Sequence, residues 1–182
     1  VSNSLECGDL SPLFGMGTRS NTHESGDESP HSKADELVFM MGKFAAPIPH
    51  DRTYARNHMW CQSHEGRHRF GFSAYAVRLL QDVFFLEWTV EAGSEVRFRQ
   101  EIGSIESSKA ESALYAPMAG RIIEFNPALL SDPSAINLEN YGGGWLFDLE
   151  GDASSMLSPA DYVNFLDEGW EATQRSLKGQ IN

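Results

Sequence analysis

The sequence predicts a mainly β fold, an antiparallel sandwich or partly closed barrel interrupted by two helices. Short runs of β-branched and aromatic residues recur along it: "HMWCQ", "RHRFGFS", "DVFFLEWTV", "EVRFRQEIGSIES", "ALYAPM", "GRIIEFN" and "GGGWLFDLE". Turn chemistry in "EAGSE", "PMAG" and "NYGGG" separates these runs at strand-like intervals. Only two stretches have helical spacing: "SAYAVRLLQD" and "SPADYVNFLDEGWEATQRSLKG".

Size and charge narrow the classes of function. A chain of 182 residues accommodates one domain with a proper core and some extra length. Fourteen basic against twenty-six acidic residues give a formal charge of −12, which opposes a sequence-independent grip on nucleic acid or on anionic lipid. Protein partners or small molecules fit that balance better. Two cysteines, Cys7 and Cys61, make no disulfide framework and suit a reducing cytosol, so the expected location is cytoplasmic. No apolar run approaches the roughly twenty residues that cross a bilayer, and no basic-then-apolar signal opens the chain, so a soluble protein is expected.

Taken in order, residues 1–35 are rich in Ser, Gly, Asp and His without an apolar period, and are expected to be a disordered leader. Within them "GDLSP" at Gly8–Pro12 recurs as "GDESP" at Gly26–Pro30, which points either to a low-complexity tail or to a misassigned start, with Met40 or Met41 as candidate true starts. Residues 36–53 turn apolar in "ELVFMMGKFAAPIP" and read as a connecting arm, a strand or a packed segment. The domain proper spans residues 54–172. Its internal helix begins after Ser73, a candidate N-cap, with Ala76, Val77 and Leu80 on one face. The closing helix has Ser158 as N-cap, Pro159 at the first position and Asp161 in the capping-box place. Tyr162, Phe165, Leu166 and Trp170 then recur at helical spacing as a core stripe, and residues 173–182 form a tail. Gly71, Gly93, Gly120 and Gly144 are expected at turns or close contacts.

Several candidate chemistries fall away on spacing. His58, Cys61, His64 and His68 lack the pattern of a zinc knuckle; "HEGRH" reads as a hairpin turn and the histidines as surface residues, so no metal site is expected. No serine or histidine sits in a triad motif. The triple glycine at Gly142–Gly144 precedes a strand rather than opening a helix, which gives phosphate binding little support. What remains is "GSIESSKAESALYAPMAG", where a tight turn presents Lys109 among small neighbours between two strands. Such a lysine is either a solvated charge or an attachment point that a modifying enzyme can reach from all sides.

The wider pattern resembles the lipoyl-bearing region of the glycine cleavage H-protein family. In that family the modified lysine lies in Glu-Ser-Val-Lys-Ala, matched here by Glu106, Ser107, Lys109 and Ala110 with Ser108 for valine. Pro117 and Gly120, then Glu124, Asn126 and Leu129, then Pro133, Ile136 and Asn137, then Tyr141, Gly144 and Trp145 continue the pattern in order. Upstream, "HMW", "FGFSAYA" and "DVFFLEWTVEAGSEV" extend the match to roughly Tyr54–Trp170. The resemblance implies a barrel-sandwich hybrid of the lipoyl/biotinyl type with a short internal helix and a C-terminal helix. It also implies a carrier rather than an enzyme, with lipoic acid attached to Lys109 and Glu106, Ser107 and Ala110 recognised by the lipoate-attaching enzyme. The other partners it implies are glycine decarboxylase, aminomethyltransferase and dihydrolipoamide dehydrogenase. A biotin carrier is the neighbouring possibility, but its lysine usually stands between methionines.

Two positions depart from the family. An acidic residue of His-Glu-Trp and a histidine in the following helix help to hold the loaded arm in that family; Met59 and Leu79 stand there, an altered and more apolar arm pocket. Either another carboxylate, such as Glu65 or Glu87, substitutes, or the carrier tolerates a looser pocket, or the chain is an H-like paralogue carrying a sulfur or acyl cargo or relaying lipoate. A non-lipoylated structural paralogue is a third possibility.

Overall fold

A computed structural model describes residues 36–178. The expectations for residues 1–35, including the repeat and Cys7, lie outside the described residues. In chain order the elements are β1 (Glu36–Met41), β2 (Phe44–Pro49), β3 (Thr53–Tyr54), β4 (Met59–His64), β5 (Arg67–Phe72), α1 (Ala74–Leu80), β6 (Val83–Trp88) and β7 (Glu95–Val96). They continue with β8 (Glu101–Ser107), β9 (Glu111–Tyr115), β10 (Gly120–Phe125), α2 (Pro127–Ser131), α3 (Ala135–Leu138), β11 (Phe147–Gly151) and α4 (Pro159–Lys178).

The strands pair antiparallel into a six-stranded sheet in the order β3-β4-β5-β11-β10-β7, a three-stranded sheet β6-β8-β9, and the separate hairpin β1-β2. Alternation along the strands decides what each sheet buries. Phe70, Ile122, Phe147 and Leu149 of the large sheet share one buried cluster with Ile102, Ile105 and Leu114 of the small one. The two sheets thus enclose a common core, with Trp88 stacked on Phe125 at 4.4 Å between ring centroids.

Local chemistry explains the turns. Glu65 and Gly66 both take positive φ, 50° and 82°, the two-residue hairpin geometry whose twist suits flanking strands, so β4 and β5 pair from Met59↔Phe72 to His64↔Arg67. Gly71 lies directly against the Trp60 indole, and Gly144 against the backbone of Ala135 and Ile136, so a Cβ at either would collide with a neighbour. Ser73 caps α1, its Oγ accepting from the Ala76 N–H at 3.3 Å. Ser158 and Asp161 form the start of α4 as expected, with Ser158 Oγ accepting from the Asp161 N–H at 3.2 Å and donating to its carboxylate at 2.6 Å.

A second core lies under the hairpin β1-β2, which folds over α1 and α4. Phe39, Ile48, Tyr54, Trp60, Tyr75, Tyr162 and Leu166 are buried in it. Tyr54 and Tyr162 stack with centroids 4.5 Å apart, and Phe39 meets Tyr75 and Trp170 edge-on at 5.7 and 5.6 Å. Residues 36–53, expected as a connecting arm, are therefore mostly a packed hairpin. The closing helix also runs to Lys178, into the stretch expected as a tail, because "EATQRSLK" consists largely of residues that tolerate helix well. Among the described residues no helix is long and apolar enough to cross a membrane.

Candidate functional site

Lys109 stands at the tip joining β8 to β9. It is exposed and forms no salt bridge among the described residues. The turn beneath it is tied from two sides. Ser107 is 7% exposed, and its backbone N–H donates to the Ala110 carbonyl at 3.1 Å. Its hydroxyl donates to the same carbonyl at 2.9 Å and accepts from the Ala110 N–H at 3.3 Å. Ser108 donates from its N–H to the Asp82 carbonyl at 2.9 Å, and from its hydroxyl at 3.4 Å.

Asp82 is in turn positioned by a remote amide. Asn137 Oδ1 accepts from the Val83 N–H at 2.9 Å, and Asn137 Nδ2 donates to the Val83 carbonyl at 2.9 Å. The side chain thereby mimics a strand along the outer edge of β6, which fixes where Asp82 meets Ser108. Asn126 caps α2 through Ala128 N–H at 3.1 Å and donates to the carbonyls of Gly143 and Trp145 at 2.8 and 2.7 Å. The motif asparagines thus act on the scaffold.

The other sequence-expected residues take different places. Glu106 is half-buried on β8, opposite Glu111 of β9 and next to Phe85 of β6. Ala110 is exposed beside Lys109, whereas the Ser107 side chain points into the turn. Met59 is 1% exposed in the core between the sheets. Leu79 is half-buried and packs on the second core, under the hairpin. The two residues expected around one arm pocket therefore pack against separate cores, because they lie on a strand and a helix that face different layers. Of the two carboxylates weighed as substitutes, Glu87 lies on β6, registered with Ser104 of β8, while Glu65 is at the β4–β5 turn of the other sheet.

The histidines correct the expectation of surface placement. His68 is 9% exposed and sits between Ser63 Oγ, 2.8 Å from Nδ1, and the Gly151 carbonyl, 3.0 Å from Nε2. His58 Nδ1 lies 3.1 Å from the Tyr162 hydroxyl, and burial pushes its pKa down to about 4. His64 alone of these three is fully exposed. The cause is tertiary: α4 covers His58, and the β11 end covers His68, neither of which local spacing reports. Among the described residues no cluster of three His, Cys, Asp or Glu side chains could hold a metal ion.

A feature that sequence reasoning missed is a cavity of about 470 Å³ at the foot of β9, lined by residues including Arg56, Asn57, Phe98, Arg99 and Tyr115. Two non-glycine residues that line it, His58 and Arg99, take positive φ, 67° and 62°, which no local sequence pattern announces.

Comparison with known proteins agrees with the geometry. The family described as glycine cleavage H-protein matches residues 52–168. The glycine cleavage system H protein of Rubrobacter xylanophilus is 37% identical over 124 residues, 68% of this chain and 98% of that protein. That of Thermobifida fusca is 36% identical, covering 67% of this chain and 97% of the relative. The crystal structure of a glycine cleavage system H protein from Mycobacterium marinum superposes with a TM-score of 0.59 at 34% identity, covering 64% of this chain and 97% of that one. With the matching strands, the Lys109 hairpin and the shared core in hand, the chain belongs to the glycine cleavage H-protein family and has its mainly β, barrel-sandwich fold with a C-terminal helix.

Proposed function

We propose that this protein is the lipoyl-carrying shuttle of a glycine cleavage system, with the lipoyl group in amide linkage to Lys109. The observation that carries this reading is the hairpin tip itself: an exposed ammonium with no salt bridge among the described residues, held on a turn locked by Ser107 and by Ser108 on Asp82. These features fit a covalent acyl group, since acylation removes a charge that no described partner requires. When bound, lipoate supplies a long neutral arm ending in a dithiol, which carries the aminomethyl group of glycine between glycine decarboxylase, aminomethyltransferase and dihydrolipoamide dehydrogenase.

The chain's own residues present the lysine and keep its surroundings open. Glu106 and Ala110 flank it as contacts for a lipoate-attaching enzyme, and Ser107 acts by fixing the shape that enzyme meets. Glu87, Glu101, Glu106 and Glu111 lie on the strands of the small sheet, which carry no basic residue. A carrier that must leave each partner quickly gains from such a surface, because charge accelerates encounter without holding the complex. Partners that dock through basic surfaces would complement it.

Reconstitution tests the reading. Lipoylated protein mixed with the three partner enzymes, glycine, tetrahydrofolate and NAD should produce NADH. Unlipoylated protein and Lys109→Arg should give only background. NADH production by Lys109→Arg equal to the native protein would reject it.

A further inference from the structure

The cavity at the foot of β9 has a charge opposite to that of the molecule. Arg56 and Arg99 both line it, and among the described residues no carboxylate does. In a chain of formal charge −12, neither arginine forms a salt bridge among the described residues. Arg56 is steadied over the Phe165 ring, 5.2 Å from its centroid. Phe98, 62% exposed, and Tyr115 supply aromatic surface beside the two cations.

The backbone at Arg99 points the same way. Gln100 N–H donates to the Arg97 carbonyl at 3.0 Å, closing a turn whose third residue is Arg99 at φ 62°. Glycine takes this conformation without strain, and a long side chain does not. An arginine kept in a glycine's place, on the rim of a cavity, argues for a role of the guanidinium.

We propose that this cavity is a binding site for a small organic anion, its carboxylate held by Arg56 and Arg99 and its apolar body against Phe98 and Tyr115. Guanidinium forks match carboxylate geometry, and the surrounding negative field leaves this cavity as a local exception that an anion can recognise. The anion has two sources, a free molecule or the distal carboxylate of a group carried on Lys109. The second is within reach, because β9 runs about 14 Å from Glu111 to Tyr115 at the strand rise, the order of an extended lipoyl-lysine. The site itself does not depend on lipoylation.

The test titrates the full unlipoylated chain with benzoate, following amide resonances by NMR, with neutral benzamide as the control. Benzoate should give saturable shifts at the Asn57 side-chain amide, Tyr115 and Ala116, and benzamide should bind at least ~10-fold more weakly, the factor expected from losing a charged partner. Arg56→Gln and Arg99→Gly should each weaken benzoate to a similar extent. Arg99→Gly should also leave the melting temperature equal or higher, which separates lost binding from lost folding. A second titration uses holoprotein whose reduced arm bears a succinyl or an acetyl thioester. Weaker benzoate binding with succinyl alone assigns the anion to the arm; equal binding assigns it to a free molecule. Equal response to benzoate and benzamide, or native affinity in both arginine variants, would overturn the site.

Discussion

Ser107 governs how Lys109 is offered. Its hydroxyl both donates to and accepts from Ala110, so Ser107→Ala removes two bonds from a half-buried turn and should cost about 1 kcal/mol of stability. The lipoylation rate should fall with it, while Ser107→Thr keeps the hydroxyl and should retain most of the rate; single-turnover lipoylation assays compare them. His58 makes a different prediction. Burial depresses its folded pKa to about 4 from the ordinary 6.5, so the unfolded chain binds the proton more readily. Stability is therefore full above about pH 6.5 and is lost as pH falls toward 4, by up to about 3 kcal/mol. Melting curves from neutral to acid pH should show this slope, and His58→Asn should flatten it. The exposed hairpin tip at Lys109 was legible because small residues and strand patterns flank it locally, whereas its role as an attachment point came only from the family resemblance. The half-buried setting of His58 and the buried one of His68 were not legible, since their covers come from residues such as Tyr162 and Gly151, far along the chain.

At the scale of elements, β6 holds the site through an interaction that spacing cannot reveal. Asn137 satisfies both backbone groups of Val83, so Asn137→Ala leaves a donor and an acceptor without that partner and should cost about 2 kcal/mol. Hydrogen exchange at Val83 and Ser108 should accelerate together, because the Asp82 carbonyl lies between these two residues. The hairpin β1-β2 is an addition preceding the family match, and its inner face locks α1 to α4. Phe39→Ala, which opens a gap between Tyr75 and Trp170, should cost about 3 kcal/mol, read by chemical denaturation. Strand alternation and caps made β4, β5, β8, α1 and the start of α4 legible. "ELVFMM" and "FAAPIP" were ambiguous because an apolar run without a clear period suits either a strand or a packed arm.

On the scale of the molecule, two sheets enclose one core, and a second aromatic core ties the hairpin and helices to it. Acidic charge surrounds the small sheet, so turnover with partner enzymes should be steered by electrostatics. Raising ionic strength from low to near-physiological values should lower kcat/KM several-fold, through association rather than kcat. The family pattern made the shuttle role legible from sequence, while the arginine-lined cavity emerged only when Arg56 and Arg99, distant in sequence, met at the foot of β9. The central claim is that Lys109 is the attachment point. Coexpression with a lipoate ligase and free lipoate, followed by peptide mass mapping, tests it most directly. One lipoyl group on the Lys109 peptide, absent from Lys109→Arg, is the predicted result; an unmodified Lys109 beside a companion H protein lipoylated in the same cells would contradict it.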